Sequence, residues 1–194
     1  MMLRKMRAAA IAATLGAVAI LAWGMLFWSV LYDSVGVIKP DTLDPVIVDA
    51  LDVSGIPSGT YVYPWPRDTV ESKRSWAQNH ATGPFFRLSY VREGTDPNSV
   101  RKLAFGVLHN FVVAAMATGL ILLAGRGMGT FGSRFMLVVL AGLMGTVLIQ
   151  VGEAVWFHMP LDYVLGTMLY QVVSWLLLAF VLSAYLTSTR LAGE

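Results

Sequence analysis

Two ionisable side chains lie within long apolar runs, His109 six residues from the start of its run and Glu153 about one turn from the end of its own, and Asn110, Gln150, Tyr170, Gln171 and Ser174 accompany them. A charged or strongly polar group is costly in hydrocarbon, so each marks a functional site by default. A histidine with a carboxylate partner can take and return a proton. Amide and phenol groups beside them could hold the head of a lipophilic molecule such as a quinone or lipid, or a proton-coupled substrate. Spacing favours a shared interior. Thr146, Gln150 and Glu153 recur at helical intervals, as do Tyr163, Thr167, Tyr170 and Ser174, and His109 with Asn110 could close the group from a neighbouring helix. The structural alternative is that the same groups bond helix to helix, at about 0.6 kcal/mol each.

Other chemistries lack their residues. The chain has no cysteine, which removes disulfides, thiolate metal sites and a cysteine nucleophile. Glu153 and His158 do not share a helix face, and no H-E-x-x-H occurs, so no metal site is expected. His109 is the one clear histidine within an apolar run, which argues against bis-histidine haem. No G-x-S-x-G is present, and Gly125-Arg-Gly-Met-Gly129 lacks a phosphate-loop lysine and follows an apolar run rather than a strand. The sequence thus predicts no catalytic residues and no cofactor, and leans away from an enzyme.

The elements that must position these groups are membrane helices. Apolar residues make up 56% of the 194 and charged residues 13%, with a mean hydropathy of +0.64. A soluble domain carries about a quarter charged residues. Nine of the 12 acidic and eight of the 14 basic side chains fall between Asp33 and Lys102, leaving the remainder nearly free of charge. A net charge of +2 without a basic, aromatic-interleaved run excludes a nucleic-acid partner. Apolar runs at residues 8–31, 103–125, 135–157 and 161–186 each exceed the ~20 residues that cross a bilayer. The first is too long for a signal core and ends at Trp28 and Tyr32 without an A-x-A site, so it reads as retained. Its alanine-rich inner half suits close helix contact.

Arg4, Lys5 and Arg7, then Arg126 and Arg134, then Arg190 mark one side, while the turn His158-Met-Pro160 carries no Lys or Arg. The positive-inside rule therefore places both ends of the chain in the cytoplasm and residues 33–102 outside. The expected organisation is a tail and first helix over 1–32, an extracytoplasmic segment over 33–102, and three further helices over 103–194. This is an all-α membrane protein, a four-transmembrane-helix bundle with a small α+β insertion between helices 1 and 2.

Within the insertion, Asp41-Thr-Leu-Asp44-Pro45 opens a short helix and residues 68–79 form a polar one. Thr60–Tyr63 and Phe85–Val91 read as two strands that could pair. Tyr61, Tyr63, Trp65 and Trp76 could give the insertion an aromatic surface, either resting at the bilayer interface or meeting a partner.

The stretch Ser58-Gly-Thr-Tyr-Val-Tyr-Pro64, with Gly83-Pro-Phe-Phe-Arg-Leu-Ser-Tyr-Val-Arg-Glu-Gly94, Tyr163-Val-Leu-Gly166 and Val172-Val-Ser-Trp175, is similar to a group of uncharacterised bacterial four-span inner-membrane proteins. The resemblance covers most of the chain and implies the topology and a bacterial inner membrane; it brings no activity. The leading expectation is a non-enzymatic accessory or assembly subunit, partnered by the bilayer and by another membrane protein or a second copy. The alternative is a small-molecule binding or transport site between helices 2, 3 and 4, lined by His109, Asn110, Gln150, Glu153, Tyr170 and Gln171.

Overall fold

The computed structural model describes residues 2–31, 44–66 and 68–189. The expected anchor Tyr32, the helix opening at 41–43 and the tail with Arg190 lie outside the described residues. The chain divides into two compact units, one holding the long helices and one spanning Ile38–Asn98.

In the helical unit, α1 (Met2–Leu26) continues through a π-helical turn, Phe27–Leu31. To keep one numbering along the chain, α2 (Asp44–Ser54) and α3 (Val70–Thr82) are the helices of the second unit. The helical unit resumes with α4 (Val100–Leu123) and α5 (Phe131–Thr146). Then come a π-helical turn, Val147–Val151, the short α6 (Gly152–Phe157), and α7 (Leu161–Ser188). Four helices are long and apolar enough to cross a membrane: Leu3–Leu31, Val100–Leu123, Phe131–Phe157 and Leu161–Ser188.

Local chemistry sets their ends. Ser99 caps α4 by accepting from the Lys102 N–H, so the helix begins three residues before the apolar run. Thr130 and Ser133 form a reciprocal capping box that starts α5 at Phe131 rather than 135, taking Arg134 into the first turn. His158 closes α6 in the left-handed conformation, φ 52°, and its N–H and that of Met159 both reach the Glu153 carbonyl. Pro160 then sets the entry to α7. Neither π-helical turn contains the glycine or proline that would announce it.

The helices form the spatial series α4–α1–α7–α5: α1 packs on both α4 and α7, and α5 packs along α7. Although consecutive, α4 and α5 touch only sparsely. The core joins Ala12, Ala13 and Ala17 of α1 to Ala114 and Ala117 of α4 and to Leu178, Ala179 and Leu182 of α7. Small side chains let the backbones approach, which is how helices gain dispersion where lipid removes any hydrophobic drive. A Cβ on Gly16 would stand 2.6 Å from Leu178 Cδ1, and one on Gly142 would fall within the Trp175 indole.

In the second unit, β1 (Gly59–Tyr63) and β2 (Phe86–Tyr90) pair antiparallel, with Tyr61 opposite Leu88 and Tyr63 opposite Phe86. Two strands alone are marginal in water. Side chains add closure. Trp76 of α3 donates its indole N–H to the Pro64 carbonyl at 3.1 Å, and Ser58 Oγ both donates to Glu93 Oε2 and accepts from the Arg92 N–H.

Candidate functional site

The structure divides the expected polar cluster in two. One part is an open cleft of about 240 Å³, lined on its polar side by the exposed His109 and half-buried Asn110 of α4 with the half-buried Tyr170, Gln171 and Ser174 of α7. Ile20, Val113, Trp175 and Leu178 complete the wall. His109 lies ~13 Å from the start of α4 at Val100 but only ~9 Å from Leu103, where the apolar run begins after Arg101 and Lys102; Gln171 lies ~15 Å into α7.

The other part follows the α5–α7 seam. Thr167 Oγ1 donates to Gln150 Oε1 at 2.9 Å, and Gln150 and Glu153 are not among the cleft's lining residues. The reason is the sparse α4–α5 contact: His109 shares a cleft with residues of α1 and α7, not with the outer half of α5. Gln150 belongs to the π-helical turn, and Thr146 just before it keeps a buried hydroxyl oxygen with no hydrogen-bond partner. A π turn shifts the phase of all that follows it, re-aiming Glu153 relative to Thr146.

Tyr170 is held from behind. Trp23 of α1 donates its indole N–H to the Tyr170 carbonyl at 3.1 Å, and that carbonyl also accepts from Ser174 Oγ at 2.7 Å. Trp23, Phe27 and Trp28 surround the phenol ring with centroids 6.5, 5.1 and 5.4 Å away. Gly24 leaves room for the hydroxyl, since a Cβ there would stand 3.2 Å from it. Sequence reasoning missed the Trp23 contribution. Its only signal was an aromatic two turns inside the end of the first helix.

A second cavity, about 360 Å³ and wholly apolar, occupies the gap that the sparse α4–α5 contact leaves. Met116, Ala117 and Leu120 of α4 face Val138 and Ala141 of α5 across it. Val113 and Trp175 border both cavities. Trp175 is fixed against Gly142, so it is a rigid wall between a polar and an apolar space.

At the opposite end of the helical unit, Arg134 is 1% exposed and its Nη1 donates to Thr187 Oγ1 at 2.9 Å. The residue expected as a loop charge therefore ties the start of α5 to the end of α7.

The expected aromatic surface of the second unit is only partly a surface. Tyr61 donates its hydroxyl to the Pro57 carbonyl at 2.6 Å and Trp76 is held by Pro64, both half-buried. Tyr63 stacks on Phe86 at 5.4 Å, and both remain exposed, as does Trp65 at 73%. Among the described residues, no group of three His, Asp or Glu side chains could hold a metal ion. No family model, curated protein or solved structure matches the chain.

Proposed function

We propose that this chain is a multi-pass membrane protein that binds a small amphiphilic molecule between α4, α7 and α1. The membrane reading is supported by the four helices, of whose apolar windows no more than 33% is buried by the protein itself. Water would penalise the remaining apolar surface at about 25 cal/mol per Å², whereas lipid does not. Following the positive-inside rule, both ends of the chain face the cytoplasm and the second unit faces outward, in a bacterial inner membrane, as in the similar four-span proteins.

The observation that carries the binding function is the cleft itself. His109, Asn110 and Gln171 line one space beside Tyr170 and Ser174, whose hydroxyl is already donated to the Tyr170 carbonyl; a bound polar head can satisfy such amide and imidazole groups where hydrocarbon cannot. His109 is the group able to exchange a proton there; Glu153 lies on another seam and is not its partner in this arrangement. The test is mild-detergent purification followed by mass spectrometry of retained small molecules. A stoichiometric lipophilic compound, lost in His109→Ala and Gln171→Ala but kept in Gln150→Ala, is the expected result. Retention of that compound by all three variants would sink the assignment.

The accessory-subunit reading has a specific observation of its own: the exposed Tyr63, Phe86 and Trp65 of the second unit. A protein partner that co-purifies and is lost in Trp65→Ala with Tyr63→Ala would favour it.

A further inference from the structure

Resting on that reading of the cleft, we infer that the ligand is an uncharged, single-chain amphiphile. Its carbonyl-bearing head occupies the His109–Gln171 cleft and its apolar chain lies in the α4–α5 crevice. Three observations define this class.

The first is adjacency. Val113 and Trp175 line both cavities, so the polar cleft and the apolar crevice lie on either side of one indole. The second is charge. Neither cavity is lined by Lys, Arg, Asp or Glu. A phosphate or carboxylate head placed there would be desolvated with no Lys or Arg to receive it. Amide N–H groups of Asn110 and Gln171 and the imidazole of His109 are instead donors suited to carbonyl oxygens.

The third is depth. The head site lies ~9 Å past the start of the apolar run in α4 and ~15 Å into α7, and the crevice continues toward the opposite ends, reaching Leu120 near the close of α4. A phospholipid keeps its head at the bilayer surface and cannot adopt this placement. A weakly polar head such as a quinone ring can reside below that surface while its chain extends within the core. Isoprenoid quinones and other uncharged single-chain lipids share this chemistry, and binding distinguishes them.

The experiment uses the full chain in nanodiscs of zwitterionic lipid. Binding is measured for decylubiquinone, for the chainless duroquinone, for monoolein and for phosphatidylglycerol. Saturable decylubiquinone binding is expected, weakened roughly three- to tenfold by Asn110→Leu or Gln171→Leu through loss of one hydrogen bond. Ala141→Phe fills the crevice away from the polar wall, so it should weaken decylubiquinone and leave duroquinone unchanged. Phosphatidylglycerol should not compete. Thermal midpoints of the variants within a few degrees of the parent exclude misfolding as the cause.

Saturable monoolein binding that is sensitive to Gln171→Leu, without quinone binding, would overturn the carbonyl-head assignment and leave the cleft an amphiphile site. Competition by phosphatidylglycerol would overturn the uncharged class. Absence of binding by all four probes would overturn both this inference and the proposed function beneath it.

Discussion

Gly142→Ala is the sharpest test of the packing that shapes both cavities. In an isolated helix the change would help, since alanine exceeds glycine in helix propensity by about 1 kcal/mol. Here the added methyl falls within the Trp175 indole, nearest Cδ2 and Cγ. Those atoms lie close to the side chain's root, so the ring cannot slide away without changing χ1 or separating α5 from α7. Overpacking a fixed core position costs about 1–3 kcal/mol, and contact at the ring root belongs to the upper part of that range. The net expectation is a loss of ~1–2 kcal/mol. For a chain of this size that lowers the thermal midpoint by roughly 2–8 °C. Far-UV circular dichroism in mild detergent measures it, with Gly145→Ala as the control. Gly145 is in the same helix, and a methyl added there would meet nothing within 4 Å, so its alanine should be neutral or stabilising. Adding Trp175→Leu should recover part of the Gly142→Ala loss, giving a coupling of about 1 kcal/mol or more. Equal midpoints for the two alanine variants, or strict additivity with Trp175→Leu, would refute the placement of the indole on Gly142.

Thr187→Val should cost about 1.5 kcal/mol by removing the acceptor of a buried guanidinium hydrogen bond, and Arg134→Ala more, both read as lowered unfolding midpoints in detergent. Trp23→Phe should cost about 1 kcal/mol by deleting the indole bond to the Tyr170 carbonyl, and should weaken ligand retention because Tyr170 loses its brace. In the second unit, the Ser58 hydroxyl, aided by the residue's own backbone N–H and by Arg92, holds the Glu93 carboxyl below its ordinary range. Because the folded value is depressed, its contribution is present above the unfolded value of about 4.3 and is lost as pH falls through the folded one. Ser58→Ala should therefore raise the Glu93 midpoint in an NMR titration; an unchanged midpoint would show that the hydroxyl is not the cause.

The amino-acid sequence determined the four long apolar helices, because the need for ~20 consecutive apolar residues is a one-dimensional property. It also carried the alternation of Phe86, Leu88 and Tyr90 that coincides with β2, and the small residues of α1 that enter the core. Helix starts were less legible. N-terminal capping at Ser99 and Thr130 extends α4 and α5 ahead of their apolar runs, so charged residues such as Arg101 and Arg134 lie inside helices that hydropathy alone would begin after them. The site was legible in residue type but not in grouping. Helical spacing says which side chains share a face, yet it cannot say which helix that face meets. Tertiary structure decided that α1 lies between α4 and α7. That placement sets His109 and Gln171 on one cleft, leaves Gln150 with Thr167, and opens the α4–α5 crevice beside Trp175. The π-helical turn at Val147–Val151 likewise depends on packing, since no residue within it enforces the extra phase.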